Sequence, residues 1–235
     1  MKKEGPKRAP RTRVLIVDDH MAFSEALGIA IDIQPDIVFV GSARSVEEAL
    51  EKVAEASPDV VLLDLRLPGV DGIEGLKQIK ALRPATRVLI LTAFAEAEAM
   101  AQAATAVAGG FFPKERPVGE ILQAIRTVSD GGMMVEATTL AAVLRNVHEP
   151  SAPTEVHPPP GMQLTERQRE VLALLAEGLD PRAIARMLGI SVNTSRGHVK
   201  SVIAKLGVHS QLEAVVAAVR MGLLDMTPTA GASTE

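Results

Sequence analysis

Short aliphatic runs alternate with helical patterns five times between residues 13 and 128, and this alternation restricts the fold more than any other feature of the chain. The runs read at 13–18, 36–40, 60–64, 87–92 and 110–113. They are rich in Val, Ile and Leu with little polar interruption, as strands buried on both faces should be. Helical patterns fill the intervals, near 21–31, 45–55, 72–82, 96–107 and 117–128. Five βα units predict an α/β fold, a five-stranded doubly wound parallel sheet. Ser45-Val46-Glu47-Glu48 predicts a capping box, and Pro117 fits the first turn of its helix. Pro113 has no amide hydrogen to donate, so its strand is expected at an edge of the sheet.

Three strand ends bear reactive groups. Asp18 and Asp19 follow the first run, Asp64 follows Val60-Val61-Leu62-Leu63, and Lys114 follows Gly110-Phe111-Phe112-Pro113. In a parallel sheet the carboxyl ends of the strands share one edge, where ligand sites form. Three carboxylates and one ammonium should therefore meet in one cleft. Crowded carboxylates repel unless a cation joins them, and Mg²⁺ is a hard ion that prefers oxygen ligands. Such a cleft suits phosphoryl chemistry. His20 reads as a solvated residue at a helix start, because imidazole is a poor Mg²⁺ partner.

Beyond this region the pattern changes. Residues 136–146 read as one short helix. Glu149 to Pro160 holds five prolines in twelve residues, a stiff extended linker. From Leu164 onward the pattern is purely helical, near 165–177, 181–188, 192–206 and 210–221. Thr165 with Gln168 predicts a capping box, Asp180-Pro181 an N-cap with Pro at the first helical position, and Gly189-Ile190-Ser191 a tight turn with a new cap. The expected division is a disordered basic N-terminus (1–11), an α/β domain (12–130), a linker helix with a proline-rich linker (131–161), a small all-α four-helix domain (162–225) and a flexible tail (226–235).

Charge divides the same way. Residues 13–130 hold 11 basic and 18 acidic side chains, whereas residues 161–220 hold 8 basic and 5 acidic. An acidic front and a basic back point to different partners. The absence of Cys excludes disulfides and thiolate metal sites. No apolar run reaches the roughly 18 residues needed to cross a bilayer. Met1 to Arg11 has no apolar core and does not read as a secretory signal. The expectation is a soluble cytoplasmic protein without a membrane partner.

Val17-Asp18-Asp19-His20, Leu63-Asp64-Leu65-Arg66-Leu67-Pro68-Gly69-Val70-Asp71-Gly72, Leu91-Thr92-Ala93 and Gly110-Phe111-Phe112-Pro113-Lys114 occur in this order on successive strand ends. On these motifs, residues 13–128 resemble the flavodoxin-like receiver domain of bacterial two-component response regulators. The resemblance implies that Asp64 accepts phosphate from a partner histidine kinase. It implies that Asp18, Asp19 and Asp64, with the backbone carbonyl of Arg66, hold Mg²⁺. Lys114 and Thr92 would then bind phosphoryl oxygens, and Phe111 would be the aromatic switch that turns inward when the threonine moves. The stretch from Thr92 to Ala108 is alanine-rich, with Met100 and Val107 as its main large side chains. Two readings stand beside each other: weak anchoring that keeps a switch easily displaced, or alanine as a simple helix former.

Leu164 to Leu172, Ile184 to Ser191, Asn193-Thr194, His198-Val199-Lys200 and Lys205 to Val208 resemble the LuxR-type helix-turn-helix domain. The pair of resemblances indicates a NarL/FixJ-type regulator. The helix-turn-helix is expected at about 181–200, with helix 192–206 entering the major groove of double-stranded DNA. Its inward stripe reads Val192, Val199, Val202, Ile203 and Leu206. The resemblance implies base or nearby phosphate contacts from Arg196 and Lys200, four apart on one face. It has Gly197 admit close backbone approach, and Asn193, Thr194 and Lys205 touch phosphates. Ser195 departs from the family, which usually has a buried Val there. A homodimer is implied on phosphorylation, and Leu212, Val215, Val216, Val219 and Leu223 form a stripe that suits either a dimer contact or the core.

Three other functions compete with this one. A Mg²⁺-dependent phosphohydrolase with Asp64 as nucleophile lacks a second acid two residues on, where Arg66 stands, so the protein is not expected to be an enzyme. A nucleotide-binding fold lacks both G-x-G-x-x-G after the first strand and a Walker A loop. A DNA-binding regulator that never receives phosphate is opposed by the intact acids, Thr92 and Lys114.

Overall fold

A computed structural model describes residues 11–69, 71–92, 103, 108–135, 137–148 and 163–224. The expected N-terminal extension up to residue 10, the helix at 96–107 apart from Ala103, the proline-rich stretch and the tail lie outside the described residues. The elements of the first half are β1 (Thr12–Val17), α1 (Met21–Asp32), β2 (Ile37–Ala43), α2 (Val46–Ala56), β3 (Val60–Leu63), α3 (Gly72–Leu82), β4 (Arg87–Thr92), β5 (Gly110–Pro113) and α4 (Val118–Ser129). Then come α5 (Ala137–His148), α6 (Glu166–Ala176), α7 (Pro181–Met187), α8 (Val192–Leu206) and α9 (Gln211–Arg220).

The five strands form one parallel sheet in the order β2-β1-β3-β4-β5. Alternate residues of each strand enter opposite cores, as the period-two geometry demands. Leu15, Val17, Val61, Leu63, Val88, Ile90 and Phe111 pack with α2 and α3 residues such as Val53, Leu76 and Ile79. Val14, Ile16, Val60, Leu62, Leu89, Leu91 and Phe112 pack with Leu27 and Ile31 of α1 and Ile121 and Ile125 of α4. Each such fully buried Leu or Ile contributes about 1.5–3 kcal/mol. Both faces are covered, which explains why the strands read as continuous apolar runs. Pro113 lies in β5, an edge strand, opposite Thr92.

Three local expectations need correction. β2 runs three residues past Val40, because a register shift lets Gly41, Ser42 and Ala43 pair with Leu15, Ile16 and Val17. Ser45 caps α2 through the Glu48 N–H, but the Glu48 carboxylate turns to the Arg44 N–H at 2.9 Å and the Lys52 ammonium at 2.7 Å, so only half of a capping box forms. Pro117 is the N-cap of α4, not its first helical residue, and its carbonyl accepts from Glu120 and Ile121.

The second half follows its caps closely. Thr165 and Gln168 form the reciprocal box, Asp180 accepts from the Ala183 N–H at 2.7 Å, and Ser191 accepts from the Thr194 N–H at 3.0 Å. Gly207 closes α8 at φ 68°, a left-handed conformation that glycine adopts without steric cost. The inward stripe of α8 is Ser195, Val199, Val202 and Leu206, while Val192 is exposed. Ser195 is fully buried, and its hydroxyl finds no hydrogen-bond partner among the described residues. An unpaired buried hydroxyl costs about 1–3 kcal/mol. Ser195→Ala is therefore expected to raise stability by about 1 kcal/mol. A urea midpoint that stays put or falls would contradict this.

Candidate functional sites

The strand order builds the acidic cleft. β1 and β3 are direct neighbours, with Val17 opposite Leu63, so the residues after them emerge side by side. The Asp18 N–H donates to the Ala43 carbonyl and the Asp64 N–H to the Val17 carbonyl, both at 2.9 Å, which extends the ladder to the carboxylates themselves. The Lys114 N–H donates to the Thr92 carbonyl at 3.2 Å, fixing the β5 end in the same way. From there the Lys114 ammonium reaches across to Asp18 Oδ2 and Asp64 Oδ2, 2.6 Å from each. Its charge also sits 5.4 Å from the centre of the Phe23 ring. Burial opposes the charge on Lys114, but contacts with Asp18 and Asp64 outweigh it and push its pKa above the ordinary lysine value. Lys114 is thus held as a cation.

Asp18 and Asp64 are buried, whereas Asp19 and His20 face solvent. His20 is exposed as expected, yet its Nδ1 lies 2.9 Å from Asp19 Oδ1 and 3.3 Å from Asp18 Oδ1. One potential ligand atom from each of Asp18, Asp19, His20 and Asp64 falls within 4.8 Å of the others. Three carboxylates so close, two of them buried, supply the oxygen donors a hard divalent cation requires. The fit is good. The Arg66 N–H donates to Asp64 Oδ1 at 3.1 Å, bringing that backbone to the cleft. Thr92 ends β4 and is buried, and Phe111 is buried in the core on the α3 side. Gly72 closes the segment after Asp64. A Cβ there would stand 2.5 Å from the Leu65 Cα, so no other residue fits. Gly72 closes the motif quoted from the sequence, where nothing local announces that its missing Cβ is what the turn requires.

In the helical domain, Asn193, Thr194, Gly197 and Lys200 are exposed on α8, and Arg196 is half-buried. Thr194 also bonds through its hydroxyl to Ser191 Oγ at 2.8 Å. Lys205 stands apart. Its ammonium donates to the Gln163 carbonyl and to Gln168 Oε1, both at 2.8 Å, bracing α8 against the start of α6. The stripe on α9 is core: Leu212, Val215, Val216 and Val219 are buried and cluster with Leu140, Val143 and Leu144 of α5.

The two halves touch, which the sequence did not foretell. Arg196 lies 3.5 Å from Asp130 at the end of α4. The Gln211 side-chain amide donates to the Gly131 carbonyl at 2.5 Å, and the Ser210 hydroxyl to the Ala108 carbonyl at 3.3 Å. The face of α8 bearing Arg196 is therefore turned toward the α/β domain.

Comparison with known proteins agrees with both halves. Residues 14–126 match the family described as the response regulator receiver domain, and residues 162–218 match the bacterial regulatory proteins of the luxR family. The transcriptional regulatory protein LnrK of Bacillus subtilis is 33% identical over 220 residues, covering 90% of this chain and 98% of that protein. The nitrate/nitrite response regulator protein NarL of Escherichia coli K12 is 32% identical over 206 residues, covering 86% and 93%. Among solved structures, a LuxR-family two-component response regulator from Aurantimonas sp. SI85-9A1 aligns with a TM-score of 0.54 at 29% identity, covering 58% of this chain and 98% of that one.

Proposed function

This chain belongs to the two-component transcriptional response regulators of the NarL type, with a receiver domain and a LuxR-type DNA-binding domain, and we propose that phosphoryl transfer to Asp64 switches it. The observation that carries this reading is the Lys114 ammonium held between Asp18 and Asp64 at 2.6 Å from each, inside a cleft that also holds Asp19. A phosphohistidine of the partner kinase is the donor. An Asp64 oxygen attacks phosphorus, the P–N bond breaks, and the imidazole leaves with its electron pair. Lys114 turns from the Asp64 carboxylate to the new phosphoryl oxygens as a point charge. Thr92 donates its hydroxyl to another oxygen, and Phe111 responds to that movement. Asp18, Asp19, Asp64 and the Arg66 carbonyl would hold Mg²⁺, which when bound would offset charge on both carboxylate and phosphoryl group. The acceptor is the protein itself, so no separate substrate is turned over.

We assign the receiver to 12–130, the connecting segment to 131–161 and the output domain to 162–225. No single helix among the described residues is long and apolar enough to cross a membrane, and the proposed site of action is the cytoplasm, on double-stranded DNA. On α8, Arg196 and Lys200 read bases or adjacent phosphates, Gly197 lets the backbone approach, and Asn193 and Thr194 contact phosphates. Lys205, expected from sequence to touch phosphate, is a brace for α8 first, through its internal bonds. Arg196 is engaged by Asp130 here, so DNA binding requires that contact to break. A homodimer through α9 further requires α5, which packs against α9, to move aside. Lys200→Ala is expected to weaken DNA binding by about 1–3 kcal/mol if the ammonium reads a base. Fluorescence anisotropy at fixed salt measures this, and unchanged affinity would remove Lys200 from the interface.

A further inference from the structure

A cleft of about 810 Å³ separates the receiver from the output domain. Lys80, Arg87 and Arg126 line it from the receiver side, and Arg182, Arg196 and Lys200 from the output side. Only two carboxylates, Asp130 and Asp180, share the lining. Arg87 opens β4, at the end of the strands away from Asp64, as the pairing of Val60 with Arg87 and of Leu63 with Ile90 shows. The cleft is therefore a second place, remote from the acidic cluster.

The cations differ in how far they are already satisfied. Arg126 forks onto Asp36 at 2.7 and 3.0 Å, and Arg196 leans on Asp130. Lys80 donates to the Pro84 and Thr86 carbonyls, which are neutral, and the Glu213 carboxylate offsets its charge only in part. Burial lowers the Lys80 pKa, Glu213 opposes this, and the like charge of Arg87 adds to the lowering. The side chains of Arg87, Arg182 and Lys200 have no hydrogen bond or ion pair with any described residue. Two domains thus face each other across a gap with unneutralised positive charge on both walls. Facing cations repel, and an anion placed between them would relieve that repulsion.

We propose that this cleft binds a small oligophosphate, of the size of a nucleoside triphosphate, bridging the receiver and the output domain. The volume falls in the range of small-molecule sites, roughly 300–1,000 Å³. Guanidinium groups match phosphate oxygens in planar, paired geometry, and three or more converging cations match a run of phosphates better than a single one. Val199, Ile203 and Val208 supply an apolar stretch of wall on which a nucleobase can lie. A DNA duplex is too wide for such a cleft, so its backbone does not account for Lys80 and Arg87 on the receiver side. A bridging anion ties Arg196 and Lys200 to the receiver and so opposes DNA binding. That consequence rests on the DNA contacts proposed above, whereas binding of the anion does not.

Calorimetric titration of the full chain with ATP, and separately with inorganic tripolyphosphate, tests the site in the presence of a chelator. Saturable binding of one anion per chain is expected, with Arg87→Gln and Arg182→Gln each weakening it by about tenfold or more, the loss of one charge-assisted phosphate contact. Both arginines are exposed, and thermal melting of each variant separates lost contact from lost fold. Tighter binding of ATP than of tripolyphosphate identifies a nucleoside polyphosphate as the ligand, and equal affinities identify the phosphate chain alone. The absence of saturable binding overturns the proposal. So does binding that Arg87→Gln leaves unchanged, since the anion would then sit on the output domain alone. Either failure leaves phosphorylation of Asp64 untouched as a separate question.

Discussion

Asp64→Asn is expected to abolish labelling of the chain by a small phosphodonor such as acetyl phosphate, a fall of at least about a hundredfold. In the proposed transfer the carboxylate oxygen is the nucleophile, and a carboxamide has no comparable oxygen to offer. The substitution is almost isosteric, and its carbonyl can still accept from the Arg66 N–H that Asp64 Oδ1 now engages at 3.1 Å. It also removes one negative charge from a cluster in which Lys114 is the buried cation bonded to Asp18 and Asp64. Repulsion falls, so the variant should melt no lower than the unmodified chain in a chelator. Lost labelling with a preserved fold is the signature expected. The same variant should not gain DNA affinity after phosphodonor treatment, whereas the unmodified chain should. Equal labelling of the two proteins would place the phosphoryl group elsewhere and end the assignment.

How much of this was readable in advance depended on whether a feature is local. The buried strands were legible because both faces of the sheet are covered, which leaves Val, Ile and Leu in unbroken runs. The convergence of Asp18, Asp64 and Lys114 followed from one geometric rule about parallel strand ends. The β2 extension was not legible, because Gly41, Ser42 and Ala43 have no strand-like pattern and owe their pairing to a register shift against β1. In α8 the apolar period placed Val192 inward. That residue is the first of the helix, beside the cap Ser191, and it faces solvent while Ser195 takes the buried place. On α9 the stripe of Leu212, Val215, Val216 and Val219 fits a dimer contact and a core equally well in sequence. Only the position of α5 above it decides. The bond from Gln211 to Gly131 joins residues 80 apart and leaves no local pattern at all.

Lys114→Met should cost about 3 kcal/mol of stability in a chelator and recover most of it with saturating Mg²⁺. The Lys114 side chain is only 13% exposed and makes two short ion pairs to carboxylates that are themselves buried. Taking away one partner of a buried ion pair strands the other charges, which is why the expected cost lies well above that of a surface pair. Methionine keeps the length and apolar stem of lysine, so the loss reports charge and not packing. In the unmodified chain a metal ion must share Asp18 and Asp64 with the ammonium, and its added stabilisation is correspondingly smaller. In the variant the ammonium no longer competes, and a divalent cation would replace it as the counter-charge for the two buried carboxylates. The stabilisation by Mg²⁺, read as the shift of the urea midpoint between chelator and metal, should therefore be larger in Lys114→Met than in the parent. Labelling of Asp64 should nevertheless stay low in the variant, because the ammonium proposed to meet the phosphoryl oxygens is gone. Equal midpoints in chelator, or equal shifts with metal, would show that Lys114 does not neutralise the cluster and that the acids do not gather Mg²⁺.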